Sequence, residues 1–198
     1  MIYREEKKIF VFVSLLLPLA TTATCPGLDI VSRSEWGARP ATATWSLDRP
    51  VKHVIVGHTI TAECLSLDSC ANIMRVMQNY HMNLDWGDIG YNFAIGGDGR
   101  VYEGVGWPRQ GIHTLGWNTK SYGIGFIGNF AKVKPNAKML KAARLLIMCG
   151  IQKKFMPQSV ELHGARDATC TESPGDALYK IIKQWPMFKG EPLEGYKC

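Results

Sequence analysis

Two stretches of this chain gather residue types able to do chemistry: Val54-Ile-Val-Gly-His-Thr59 and Gly164-Ala-Arg-Asp-Ala-Thr-Cys-Thr-Glu-Ser-Pro-Gly175. Around them, His58, His163 and Cys170 offer the imidazole and thiolate donors that zinc prefers. A catalytic zinc takes three protein ligands, leaves one position open and lowers the pKa of its bound water to about 7. Ser173 opens a metal-free route as a nucleophile with His58 as its base, provided the two side chains are in hydrogen-bond contact. If 161–165 is extended, alternation turns His163 and Ala165 to one side. The same rule turns His58 away from Gly57, and Cys170 has a competing use in a disulfide. Outside such a shifted metal site, His53 and His163 read as satisfied or solvent-facing histidines.

These residues need a scaffold, and the hydrophobic pattern supplies one. Residues 25–50 are irregular, broken by Pro26-Gly27, Gly37, Pro40 and Pro50, with Trp36 packing on the body. Val51 to Val56 is a buried strand, rich in β-branched residues and bounded by Pro50 and Gly57. Ser69 to Asn83 is a helix, with Ile73, Met74, Met77 and Tyr80-His81 at helical spacing. Gly90 to Ile95 and Arg100 to Glu103 flank Gly96-Gly-Asp-Gly99, a hairpin signal. Ser121 to Phe130 is a strand whose glycines admit a neighbouring backbone. Asn136 to Phe155 is a helix with Met139, Leu140, Ala143, Leu146, Ile147 and Gly150-Ile151 on one stripe. Asp176 to Gln184 is a final helix, and Lys189 to Cys198 is a tail tied down by its cysteine. Strands and helices mix without regular βαβ alternation. The expected fold is α/β of the α+β type: a central mixed sheet flanked by about three helices.

Length and composition narrow the class. The 198 residues suit one domain after a leader. Arg4, Lys7 and Lys8 precede a largely apolar run from Ile9 to Ala20, and Ala20-Thr-Thr-Ala23 offers a cleavage site. The run is short for a membrane span. Residues 1–23 are therefore read as a signal peptide and 24–198 as the domain. In an exported chain the six cysteines argue for disulfides. Cys64 and Cys70 are close enough to pair across a short loop; spacing leaves the rest open. The formal charge of +6 suits a polyanionic surface such as a bacterial wall. No basic run with interleaved aromatics suggests nucleic acid.

The two stretches, taken with Ser34-Glu-Trp-Gly-Ala-Arg39, Asp88-Ile-Gly-Tyr-Asn-Phe93, Gly96 to Trp107, His113-Thr114, Gly125 to Phe130 and Ser173 to Tyr179, resemble the peptidoglycan recognition protein family, relatives of the phage amidase lysozymes. The resemblance runs from about Cys25 to Phe188 and is closest to the short, secreted, non-amidase members of insects. It implies an amidase-like, disulfide-stapled fold with Cys64–Cys70 and Cys25–Cys149 bridges, leaving Cys170 and Cys198 to pair or Cys198 free. It also places the three zinc ligand positions of catalytic members on Gly57, Ala165 and Ser173. Gly57 and Ala165 have no donor atom, and a serine hydroxyl is a poor zinc ligand. Tyr91 and Thr171 match positions that assist catalysis in active members.

What the resemblance implies is a secreted receptor without cofactor, bound metal or amidase activity. Its ligand would be bacterial peptidoglycan, with β-glucan as a further possibility. Its partners would be recognition proteins or serine proteases of an innate immune cascade of the Toll or prophenoloxidase type. Carried over residue by residue, the ligand-binding set is His58, Thr59, Asp85, Trp86, Tyr91, His113, Asn118 and Thr171. Asp85-Trp86 falls where the family discriminates lysine-type from diaminopimelate-type stems. Asp85 would repel an extra carboxylate and tolerate an ammonium, which favours lysine-type. The competing readings are a zinc amidase on His58, His163 and Cys170 and a metal-free hydrolase on Ser173.

Overall fold

Parallel pairing dominates the sheet of this protein. The computed structural model describes residues 25–198 apart from 191 and 197, so the leader expected over 1–23 lies outside the described residues. Six strands, β1 (Ile30–Val31), β2 (His53–His58), β3 (Phe93–Ile95), β4 (Val101–Glu103), β5 (Ser121–Phe126) and β6 (Glu161–Gly164), line up in the order β1-β4-β3-β5-β2-β6. Only β3 and β4 run antiparallel, across the Gly96–Gly99 turn. With helices α1 (Leu67–Asn83), α2 (Ala137–Gln152) and α3 (Asp176–Ile182), this is the expected mixed sheet with three helices.

Alternation sorts the strand residues between two cores. Val54, Val56, Phe93, Ile95, Tyr122, Ile124, Phe126 and Leu162 join Met139, Leu146 and Ile147 of α2 and Leu178 and Ile182 of α3. On the other face Ala94 and Tyr102 meet Met74 and Met77 of α1, with Val31 and Trp36. Trp36 is fully buried, and its indole N–H donates to the Glu103 carbonyl at 2.7 Å. Thus α1 covers β1, β4 and β3, whereas on that face β5, β2 and β6 carry Gly123, Gly125, Ile55, Gly57, Glu161 and His163. The cleft forms over this half.

Local chemistry sets the helix ends. The Ser66 hydroxyl accepts from Ser69 N–H and the Ser69 hydroxyl accepts from Ser66 N–H, a reciprocal cap at the start of α1. Asn136 caps α2 by accepting from Met139 N–H at 3.1 Å. All three bridges are formed: Cys25–Cys149, Cys64–Cys70 and Cys170–Cys198.

Several boundaries differ from the sequence reading. A short strand, β1, lies inside 25–50, recruited only by pairing with β4. The strand expected at Val51–Val56 is shifted to His53–His58, and the one at Ser121–Phe130 stops at Phe126, before Gly128 at φ 141°. The α1 stripe is Cys70, Ala71, Met74, Met77 and Gln78; Tyr80 is 62 % exposed. Helix α2 ends at Gln152, and Lys154 takes a positive φ of 60°.

Candidate ligand-binding cleft

A cleft of about 260 Å³ opens over the uncovered half of the sheet, lined by Ile55, Gly57, His58, Ile60, Tyr91, His113, Thr114, Ala165, Thr169, Thr171 and Ser173. Missing side chains make its floor. A Cβ on Gly123 would lie 2.4 Å from His113 Cγ, and one on Gly125 would lie 3.1 Å from the Tyr91 ring. Rings, not a neighbouring backbone, occupy the space that the β5 glycines leave. A Cβ on Gly57 would meet Ser173 Oγ at 3.2 Å and Tyr91 Oη at 3.4 Å.

Tyr91 is held by the loop after α1, which is pinned by a buried carboxylate. Asp88 is 3 % exposed and accepts from Arg33, Arg109, Gln78 and the Ile89 N–H at 2.8–3.1 Å. Such a multiply bonded ion group gives the loop a single placement. The Tyr91 hydroxyl donates to the His58 carbonyl at 3.4 Å, and burial raises its pKa to about 12, so it stays protonated.

His58 closes one end. It is the last residue of β2, and its Nδ1 accepts from the Phe130 N–H at 3.1 Å. Its Nε2 is buried with no partner in the protein. His113 has the same character: Nδ1 lies 3.0 Å from Thr114 Oγ1, and Nε2 has no partner. Burial lowers both pKa values, that of His113 to about 4, and Arg166 pushes His58 further down. Both imidazoles are therefore neutral at pH 7. Because Nδ1 of His58 accepts, its proton sits on Nε2.

The second wall follows β6. The Ser173 hydroxyl accepts from the His58 backbone N–H at 3.1 Å, and the Thr171 hydroxyl accepts from Ser173 N–H at 3.2 Å. The Asp167 carboxylate accepts from Gly164 N–H at 2.8 Å and from the Tyr179 hydroxyl at 2.6 Å, fixing the turn that presents Ala165. The tail folds back beneath: Leu193 N–H donates to the Asp167 carbonyl, and Leu193 packs against Ile55, Trp117, Ala165 and Ala168.

Of the expected ligand-binding residues, His58, Tyr91, His113 and Thr171 line this cleft. Thr59, Asp85, Trp86 and Asn118 do not. The Thr59 hydroxyl is taken by Thr61 and by Gly128 N–H. Asn118 Oδ1 accepts from His113 and Thr114 N–H, so it shapes the loop that carries His113. Trp86 stacks on His81, whose Nδ1 accepts from Gly90 N–H beside Tyr91. Asp85 is exposed at φ 60°. Ile55, Ile60, Thr114 and Thr169 line the cleft unforeseen; alternation from Gly57 would have found Ile55.

The shifted zinc site does not form. His163 sits on the opposite side of the sheet fabric from His58 in strand register and contacts His53, and Cys170 is in a disulfide. Nor is His58 turned out of the cleft: as the terminal strand residue it closes the end that Gly57 borders. The Ser173–His58 dyad is also unmade, because Ser173 Oγ contacts the His58 backbone while the ring's Nε2 has no partner. As a zinc cradle the cleft has too few donors: its lining includes two imidazoles, no thiolate and no carboxylate, and one imidazole nitrogen is already spent on Phe130. The residues present do not fit zinc.

Comparison with known proteins places the fold. Residues 47–176 match the N-acetylmuramoyl-L-alanine amidase family, which defines the class of domain. The chain is 45 % identical over 169 residues to peptidoglycan-recognition protein 1 of the beetle Holotrichia diomphalia, covering 85 % of each. It superposes on Drosophila peptidoglycan recognition protein SA with a TM-score of 0.83 at 40 % identity, covering 86 % of this chain and 98 % of the other. It is also similar to a chain in the complex of tracheal cytotoxin with recognition proteins LCa and LCx, with a TM-score of 0.81 at 44 % identity and coverage of 82 % and 99 %. The chain belongs to the peptidoglycan recognition protein family.

Proposed function

We propose that this protein is a receptor that holds the muramyl peptide of bacterial peptidoglycan in the cleft without cleaving it. The observation that carries the reading is the donor set. Two neutral imidazoles with unpartnered Nε2 atoms, the Tyr91 ring and three threonine hydroxyls converge where Gly57 and Ala165 bring no metal ligand. Convergent polar groups over a partly apolar floor suit a ligand of amides and hydroxyls. His58 Nε2–H donates to a peptide carbonyl, a role its tautomer fixes. The similar complex with tracheal cytotoxin supports ligand capture on this scaffold.

The finer reading adds secretion after removal of residues 1–23, a preference for lysine-type stems that Asp85 would exert by charge from outside the cleft lining, and partners among the recognition proteins or serine proteases of a Toll or prophenoloxidase cascade. β-Glucan is the competing ligand. The test is co-sedimentation with insoluble lysine-type and diaminopimelate-type peptidoglycan and with β-glucan, zinc supplied, followed by mass spectrometry of the supernatant. Protein pelleted by peptidoglycan with no freed stem peptides is expected. Freed stem peptides, or pelleting by β-glucan alone, would overturn the reading. Asp85→Gly should narrow any difference between the two stem types.

A further inference from the structure

At the far end of the same face of β2 lies a second group of donors. The parallel register of β2 and β6 sets His53 beside Glu161 and Ile55 beside His163. Alternation then turns His53, Glu161 and His163 to one side of the sheet, the side of Ile55 and Gly57. The donor atoms of the three side chains all lie within 4.8 Å of one another. His53 Nδ1 is 3.3 Å from His163 Nε2 and 3.5 Å from Glu161 Oε2.

Those separations have a chemical meaning. Two ligands about 2.05 Å from a tetrahedral zinc stand about 3.3 Å apart. The imidazole nitrogens already span such an edge, and Glu161 Oε2 at 3.5 Å from His53 Nδ1 comes near a second, with all three donors within 4.8 Å. Two imidazoles and a carboxylate are also a recognised donor set for zinc with an open fourth position. We propose that His53, Glu161 and His163 bind one divalent transition metal ion, zinc in the first instance, with water as the fourth ligand.

A second observation is independent of the distances. His163 is 1 % exposed, yet its Nδ1 has no hydrogen-bond partner, so its polar contact is the 3.3 Å approach to His53. A metal bond would replace this single imidazole–imidazole contact at Nε2, the nitrogen that faces His53, and would leave Nδ1 as it is. Glu161 has a supporting contact of the type ligating carboxylates keep: Lys52 Nζ holds its Oε1 at 2.8 Å, leaving Oε2 for the metal. Lys52, Lys120 and Lys189 are the opposing charges that bear on these histidines. They weaken the site, while Glu161 neutralises one charge of the ion.

The site would act on structure. It would tie β6, an edge strand, to β2 immediately before the turn that presents Ala165 and the cleft wall through Ser173. Trp117 lies edge-on to His53 at 5.0 Å between ring centres and packs with Ile55 and Ala165, so it reports on both. This inference is independent of which glycan the cleft binds.

The test uses the full disulfide-bonded chain, stripped with chelator. Titration with zinc chloride by calorimetry is expected to show one equivalent bound. Cobalt(II) should give visible absorption of tetrahedral type, and copper(II) should quench Trp117 fluorescence at the same stoichiometry. His53→Gln and Glu161→Gln, both at partly exposed positions, should weaken zinc binding at least about 100-fold, beyond the loss usual for a residue that only supports a ligand. Circular dichroism checks that they fold. His58→Gln and His113→Gln, in the cleft, should leave it unchanged. Absence of stoichiometric zinc binding, or binding that survives His53→Gln and Glu161→Gln, would overturn the proposal.

Discussion

The backbone N–H of Phe130 donates to Nδ1 of His58 at 3.1 Å, and this bond decides which face of the imidazole the cleft receives. With Nδ1 accepting, the neutral ring carries its proton on Nε2, the nitrogen with no partner in the protein. A strand end and the loop after β5 thus leave an unpartnered Nε2–H at the cleft.

Removing that ring should cost both stability and binding. His58→Ala leaves the buried Phe130 N–H without an acceptor, a loss of about 1–3 kcal/mol. Urea denaturation should show it. Calorimetry with a soluble muramyl peptide should show weaker binding of about tenfold or more, the value of about one hydrogen bond. Unchanged affinity would remove His58 from the ligand site.

The glycine floor predicts a steric effect. In Gly123→Ala the new methyl would sit 2.4 Å from His113 Cγ, so the ring must move. Overpacking of this kind costs about 1–3 kcal/mol. Muramyl peptide affinity should fall with it, whereas a variant of wild-type stability and affinity would show that the ring is free to shift.

Asp88 should matter although it does not line the cleft. Asp88→Ala removes the shared partner of Arg33, Arg109 and Gln78. Breaking a buried ion group on one side costs about 3–5 kcal/mol. Thermal unfolding should shift strongly downwards, and hydrogen exchange should rise in 84–92.

Acid should destabilise the domain through neutral histidines. Burial holds His81 and His113 at pKa values of about 4, against about 6.5 in the unfolded chain. Between those values the unfolded state binds more protons, so stability is full above about pH 6.5 and falls as pH drops towards 4. Urea midpoints measured across this window should decline, and His81→Gln should flatten the slope. A pH-independent midpoint would contradict the burial of these rings.

Rebuilding the donor set tests the non-catalytic reading. The triple variant Gly57→His, Ala165→His, Ser173→Cys should bind zinc in the cleft and release stem peptides from peptidoglycan. A Cβ at Gly57 would stand 3.2 Å from Ser173 Oγ and 3.4 Å from Tyr91 Oη, so both side chains must give by a few tenths of an ångström to admit the new imidazole. A zinc-loaded variant without hydrolysis would mean that more than ligand loss separates this chain from the enzymes.

Residue identity alone located the three helices, the hairpin and the strands β2 and β5, while β1 went unseen and β6 was only a condition. The β-branched run after Pro50 located β2, though Gly57 lies inside the strand and does not end it, Gly96–Gly99 marked the hairpin, and Gly57 and Ala165 have no donor atom in any fold. His58, Tyr91, His113 and Thr171 came from the family resemblance, which carried over Thr59, Asp85, Trp86 and Asn118 as well, and these four do not line the cleft. Only tertiary structure decided the rest, because the deciding contacts join residues far apart in sequence. β1 exists through pairing with β4, and Asp88 gathers Arg33 and Arg109 from separate loops. The parallel register of β2 with β6 brings His53 against His163, a meeting across 110 residues that no local pattern encodes.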